Sequence, residues 1–146
     1  MYEKYSRQAL PTRKYRELLG SALCVFNANN SFIIENILHI DKEKYNWYNL
    51  IDKTSGSLKN IVKNAIKKYD SDICLLFEDL IEKRNRIVHS FQITYHNEQI
   101  LATKDKENKQ YIISEEFLLS FIRDNEMLCD RLYKLKQKIE EGVSIG

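Results

Sequence analysis

Apolar side chains recur at intervals of three and four residues along most of the chain, the spacing that places them on one face of a helix. Polar residues suited to helix starts stand just before several of these stretches. The pattern predicts helices over about 12–38, 42–53, 57–69, 71–90 and 115–140. It leaves open whether the first helix is continuous or breaks at Asn29 and Asn30.

Between the last two long helices the period changes to two, as in a strand. Phe91, Ile93 and Tyr95 alternate with polar residues, and Asn97-Glu98 is predicted to form a turn. A further strand is possible at 111–113. The sequence therefore predicts a small β-hairpin insertion over about 91–113 in a fold that is otherwise all-α, a helical bundle formed by one domain over 1–146.

Composition supports a single helical domain. The chain has 146 residues, 43% of them apolar, with four glycines and one proline, which argues against a turn-rich sandwich or barrel. The formal charge of +2 is too small to indicate a nucleic-acid binder, so affinity for phosphate would have to come from local clusters of cations. We expect the tail after Glu141 to be frayed.

The three cysteines, Cys24, Cys74 and Cys129, are widely spaced in apolar helical contexts, so we expect reduced core thiols. The sequence indicates no metal site and no cofactor. It has no apolar signal segment and no run of 18 apolar residues, so we expect a cytoplasmic protein that does not enter a membrane.

The fourth predicted helix carries a cation on its apolar face. That face comprises Ile73, Phe77, Leu80, Arg84, Ile87 and Phe91. Removing a guanidinium from water is costly, so Arg84 has to meet an anion, a carboxylate or a water-filled crevice. The simplest structural partners are Glu78, Asp79 and Glu82, which lie within reach along the same helix.

Asn85 and His89 lie four residues apart at one edge of that face. This spacing allows Asn85 to hold the imidazole of His89 in one orientation, and an asparagine can orient either the arginine or the histidine. Arginine binds phosphate oxygens through a permanently charged planar fork, and histidine exchanges protons near neutral pH. The three residue types suit chemistry on a phosphodiester. The alternative is that Arg84 pairs with a carboxylate and His89 only ends the helix.

The sequence Arg84-Asn85-x-x-x-His89 resembles the Arg-polar-x-x-x-His signature of HEPN domains. The resemblance implies a helical bundle that forms a homodimer, with two signatures meeting as a metal-independent ribonuclease site. It makes Arg84, Asn85 and His89 the expected catalytic residues and RNA the expected substrate. Family members occur in toxin–antitoxin pairs and phage defence, so an antitoxin or other regulatory protein is a possible partner. Some members have lost activity and only bind.

One departure from the family pattern bears on regulation. In HEPN toxins that a partner nucleotidyltransferase silences, a tyrosine follows two places after the histidine, whereas this chain has His89-Ser90-Phe91. Nucleotidylation is therefore not expected at that position, although Tyr95 lies a few residues further on. The alternative function is a non-catalytic helical module that binds a nucleotide or a protein.

Further cations are candidates for RNA binding. Lys83 and Arg86 flank the signature and are expected to contact RNA at its rim. Lys59, Lys63 and Lys67 lie four apart on the preceding helix, joined by Lys68, and we call these four the lysine face. It either follows the RNA backbone or only keeps the domain soluble.

The last predicted helix has a sustained repeat of apolar residues. It comprises Leu118, Phe121, Asn125, Leu128, Leu132, Leu135 and Ile139. Such a helix has to pack along its whole length, either within the bundle or against a second subunit. The one polar member, Asn125, is suited to fixing helix register or the number of partners.

Overall fold

The computed structural model describes residues 1–142 and is mostly helical, with one small sheet. In chain order the elements are α1 (Arg13–Ile40), α2 (Trp47–Ile51), α3 (Ser55–Ala65), α4 (Ser71–Val88), β1 (Phe91–Tyr95), β2 (Glu98–Lys104), β3 (Gln110–Ile112) and α5 (Glu115–Glu140). The mainly α fold with a small antiparallel insertion is confirmed. Apart from Gly142, the expected fraying after Glu141 concerns residues outside the described range.

The core lies between α1, α4 and α5. Phe26 of α1 stacks against both Phe77 of α4 and Phe121 of α5, with ring centroids 6.2 Å apart in each pair. Each ring is almost fully buried, and burial of aromatic area is a main source of core stability. Three of the five helices that the apolar repeats predicted therefore meet around one aromatic cluster.

Side-chain caps fix where the helices begin. Thr12, Asn46, Thr54, Asp70 and Ser114 each accept a hydrogen bond from a backbone N–H in the following first turn. Such caps satisfy N–H groups that have no partner within the helix. The cap at Asn46 sets the start of α2, which is only five residues long, much shorter than the predicted helix over 42–53. Likewise, α3 ends at Ala65 instead of 69, because a turn follows it.

The insertion is a three-stranded antiparallel sheet in the order β1-β2-β3. The β1–β2 turn consists of His96 and Asn97, both with positive φ (49° and 64°), one residue earlier than predicted. Two such residues are typical of a two-residue hairpin turn. Because α4 ends at Val88, Phe91 lies in β1, opposite Ala102, and is 40% exposed. Phe91 begins the insertion, as the change to a period of two predicted, and it does not continue the apolar face of the helix.

At Asn125, the buried face of α5 packs against α1 of the same chain. The Asn29 amide donates to the Asn125 backbone oxygen at 2.7 Å and to its side-chain Oδ1 at 3.0 Å. Asn125 therefore fixes the register of α5 against α1 within one chain. This pair also explains why α1 runs through Asn29 and Asn30 without a break.

The cysteines differ in exposure. All three are free, and Cys74 is buried and Cys129 half-buried, but Cys24 is exposed. The prediction of a core thiol is therefore wrong for Cys24. None of the helices within residues 1–142 combines the length and the apolar character that a bilayer crossing requires.

Candidate functional site

Arg84 lies on α4 at the edge of the core, and its side chain is half-buried. Its guanidinium carbon is 5.5 Å from the centre of the Phe26 ring, within the range of a cation–π contact. One terminal nitrogen donates a hydrogen bond to Oδ1 of Asn85 at 3.0 Å. The guanidinium is thus held in place by an aromatic ring and a neutral amide.

The three carboxylates nearest to Arg84 in sequence are paired with other cations. Glu78 lies 3.7 Å from Lys59 and 3.8 Å from Lys63, Asp79 lies 3.0 Å from Lys83, and Glu82 lies 3.5 Å from Arg86. Within residues 1–142, no carboxylate oxygen lies within 4.0 Å of the Arg84 guanidinium. The predicted alternative, in which one of these carboxylates neutralises Arg84, is not what the structure shows.

Arg84 opens into a crevice of about 360 Å³ between α1 and the segment that joins α2 to α3. We call it the Arg84 crevice. Its apolar walls are Phe26 and Ile51, its cations are Arg84 and Lys53, and its neutral polar residues are Asn27, Asn30, Ser31, Thr54 and Ser55. Among the residues that the structure describes, no acidic one lines it. A crevice with two cations, several hydrogen-bond donors and no carboxylate is suited to an anion.

His89 is the residue at which α4 ends. Its backbone N–H donates to the Asn85 carbonyl at 2.9 Å, and the residue is exposed. It does not line the Arg84 crevice. Within one chain, His89 and Arg84 therefore do not line the same crevice.

The predicted contact between the side chains of Asn85 and His89 is not formed. Oδ1 of Asn85 accepts from Arg84, and no side-chain hydrogen bond to His89 occurs within residues 1–142. The spacing of four residues brings side chains together only inside a helix. Because α4 ends at Val88, His89 lies beyond the helix, and the spacing does not bring its side chain to Asn85.

Lys83 and Arg86 belong to a different crevice. Lys83 lies between Asp79 (3.0 Å) and Asp124 (3.3 Å). Burial acts to lower the pKa of its ammonium group, but the hydrogen bonds to the two carboxylates outweigh burial and raise it. Arg86 donates to the Lys104 carbonyl at 2.7 Å and lies 3.5 Å from Glu82.

This second crevice, the Arg86 crevice, has a volume of about 650 Å³. Four carboxylates line it against three cations, and the carboxylates are Asp79, Glu82, Asp105 and Glu107. Phosphate would be repelled there more than attracted. The expectation that Lys83 and Arg86 form a rim around Arg84 is not met, because they lie on another side of α4 and are already paired.

The lysine face is divided by Glu78. Lys59 and Lys63 both lie near that carboxylate, whereas Lys67 and Lys68 are exposed and have no ion pair within residues 1–142. The Lys68 ammonium lies 5.6 Å from the centre of the Tyr69 ring. Only the second half of the predicted face therefore carries cations without a carboxylate.

Sequence reasoning missed Lys53 and the asparagines of α1. They are remote from Arg84 in the chain and join it only through the packing of α1 and α3 against α4. The helix-start signal at Thr54 was readable, but nothing in the sequence linked it to Arg84. Among the described residues, no group of three His, Cys, Asp or Glu side chains is arranged to hold a metal ion.

Comparisons with protein-family models, with curated proteins and with solved structures find no match for this chain. The case for a function therefore depends on the side chains around Arg84 and His89.

Proposed function

We propose that this protein is a metal-independent endoribonuclease of the HEPN type, acting in a defence or toxin–antitoxin setting. The observation that carries the proposal is the state of Arg84: a half-buried guanidinium that no carboxylate within residues 1–142 neutralises, opening into a crevice that no acidic residue of that range lines. A structural arginine on a helix face would be expected to have an anionic partner. An arginine that binds phosphate has to keep its charge available.

The chemistry assigned to the two signature residues is transesterification. His89 removes the proton from a ribose 2′-hydroxyl, and the oxygen attacks the adjacent phosphorus. Arg84 stabilises the negative charge that develops on the non-bridging oxygens. The bond from phosphorus to the 5′-oxygen breaks, and the leaving oxygen takes a proton from the His89 imidazolium, acting as general acid, or from water. The products are a 2′,3′-cyclic phosphate and a 5′-hydroxyl.

The proposal requires a second copy of the chain. His89 does not line the Arg84 crevice of its own chain, so a second chain would have to bring its His89 to that Arg84. Exposed apolar side chains beside His89 support a contact surface there: Val88 is 49% exposed and Phe91 is 40% exposed. We expect light scattering to give the mass of a dimer at micromolar concentration. A monomer at all concentrations would contradict the composite site.

The decisive experiment compares His89→Ala with wild type on mixed RNA in the presence of a chelator. Because His89 is exposed, its removal empties no core volume, so the melting temperature should change little. Cleavage should fall by at least about 100-fold, the usual minimum for losing a proton-transfer residue. The matched control is His39→Ala, which removes another exposed histidine near a helix end and should cut RNA normally.

A non-catalytic binding module is the second candidate, and one observation favours it. No side-chain hydrogen bond orients His89 within residues 1–142, while the Arg84 crevice is complete for anion binding in one chain. If wild type binds RNA but cuts none of the RNAs offered, this reading replaces the ribonuclease. If His89→Ala cuts as fast as wild type, the role assigned to His89 is wrong.

A further inference from the structure

We infer that Lys53 is a second phosphate ligand beside Arg84, and that the Arg84 crevice is a phosphate-binding site extending to the segment before α3. The inference rests on the proposed function only in taking RNA as the source of the phosphate. Lys53 lies 31 residues before Arg84 in the chain and outside the signature.

The charges in the crevice carry the argument. Arg84 and Lys53 both line it, and neither has a carboxylate oxygen within 4.0 Å inside residues 1–142. Two like charges that share a crevice repel each other, and an anion between them relieves that repulsion. Most other cations near α4 are already paired, since Lys59, Lys63, Lys83 and Arg86 each lie near a carboxylate.

Neutral donors complete the site. The side chains of Asn27, Asn30 and Ser31 line the α1 wall, and amide or hydroxyl groups can donate to phosphate oxygens that the cations leave free. Thr54 and Ser55 stand at the first turn of α3, where unpaired N–H groups give a partial positive charge. The helix end adds to a site that the two cations define.

Size and the contrast with the Arg86 crevice favour the same ligand. At about 360 Å³, the Arg84 crevice is at the lower end of the range of small-ligand pockets, about 300–1,000 Å³. It suits a nucleotide fragment bound through its phosphate. The Arg86 crevice is larger, about 650 Å³, but holds four carboxylates. An anion is therefore directed to the Arg84 side of α4.

The test measures binding without cleavage, using single-stranded RNA with 2′-O-methyl riboses, which lack the attacking hydroxyl. Lys53→Gln should weaken binding by about tenfold, because a hydrogen bond to a charged group is lost. It should also reduce the slope of log affinity against log salt by about 0.7, the value for one phosphate contact on a single strand. The matched control is Lys42→Gln, an exposed lysine without an ion pair inside residues 1–142, which should behave as wild type.

Parallel titrations with adenosine 5′-monophosphate and inorganic phosphate identify the source of the phosphate. Weaker binding of RNA by Lys53→Gln supports the site on an RNA backbone, and weaker binding of the mononucleotide alone supports it for a free nucleotide. If Lys53→Gln equals wild type for all three probes, the inference is overturned.

The outcomes are separable from those of the proposed function. If the wild type cuts no RNA, yet binds the uncleavable RNA through Lys53, the phosphate site is supported and the ribonuclease proposal is contradicted. If cleavage is lost in His89→Ala, but Lys53→Gln binds and cuts RNA normally, the ribonuclease proposal is supported and the assignment of Lys53 is contradicted.

Discussion

The guanidinium of Arg84 donates a hydrogen bond to the side-chain oxygen of Asn85, its neighbour in the chain, at 3.0 Å. Asn85 therefore positions Arg84, not His89. A neutral amide holds the guanidinium without cancelling its charge, which a carboxylate at the same place would do. The polar residue of the signature thus keeps an arginine both ordered and available to an anion.

The first prediction tests whether Asn85 positions Arg84 or His89. Asn85→Ala should reduce RNA cleavage moderately, because Arg84 loses one of the contacts that hold it. Asn85→Asp should reduce it further, because the new carboxylate pairs with Arg84 and neutralises the Arg84 crevice. The measurement is kcat/KM for an RNA oligonucleotide, together with a melting curve to show that both variants are folded.

The opposite order would contradict the positioning role. If Asn85 oriented His89, aspartate would serve as well as asparagine, because a carboxylate also holds an imidazole. Activity in Asn85→Asp equal to or above that in Asn85→Ala would therefore show that Asn85 orients His89 and not Arg84. The same pair of variants tests binding as well, since Asn85→Asp should weaken affinity for the uncleavable RNA more than Asn85→Ala does.

The second prediction concerns the lysine face. Glu78 lies near both Lys59 and Lys63, at 3.7 and 3.8 Å. If the face follows the RNA backbone, Glu78→Gln should free two cations and tighten RNA binding, with a steeper dependence on salt. The two ion pairs of Glu78 are partly open to solvent, so their loss should cost little stability. The matched control is Glu35→Gln, an exposed glutamate of α1. An unchanged salt slope in Glu78→Gln would leave the face with a role in solubility only.

The helices were readable from the sequence because two local signals agreed. Apolar residues three and four apart marked the buried faces, and Ser114 marked the start of α5 one residue before Glu115. The buried residues of α5 are six of the seven that the repeat predicted, and the seventh, Ile139, is half-buried. Agreement between capping and periodicity is what allows a local pattern to fix an element.

The surroundings of Arg84 were only partly readable from the sequence. The sequence correctly indicated that a cation on a buried face needs special surroundings, and it offered Glu78, Asp79 and Glu82 as partners. Asp79 and Glu82 instead pair with Lys83 and Arg86, four residues further along α4, which is a spacing that a sequence shows. Glu78 meets lysines of α3, and the crevice at Arg84 is formed by α1 and the segment before α3, so these contacts depend on tertiary packing.

The same limit applies to Asn125. Its position in an apolar repeat predicted a specificity role, but not whether its partner lay in the same chain. The partner is Asn29, 96 residues earlier, and a spacing rule along one helix carries no information about the facing helix. Polar residues on buried faces can be located from sequence, whereas their partners require the packed structure.

The third prediction concerns Tyr15, which joins α1 to the sheet region. Its buried hydroxyl donates to the Ile113 carbonyl at 2.6 Å and accepts from the Leu101 N–H at 3.3 Å. Burial raises the pKa of this hydroxyl above its ordinary value of 10.0, although the Leu101 N–H acts in the opposite direction. The folded state therefore favours the neutral phenol, which is also the form that can donate to Ile113.

Because the pKa of Tyr15 is higher in the folded than in the unfolded chain, its contribution to stability is complete below about pH 10 and is lost as the pH rises through the folded pKa. At pH 8, Tyr15→Phe should lower the free energy of unfolding by about 1–2 kcal/mol, since the Ile113 carbonyl loses a buried partner. Above pH 10 the wild type should lose stability faster than the variant, and the difference in unfolding free energy between them should narrow.

Urea unfolding at pH 8 and pH 11 measures this difference at each pH. Tyr48→Phe is the control, because Tyr48 is 75% exposed and should leave the difference between the two pH values unchanged. A difference in unfolding free energy between Tyr15→Phe and wild type that stays constant up to pH 11 would show that the pKa of Tyr15 is the same in the folded and unfolded chains, and it would contradict the raised pKa.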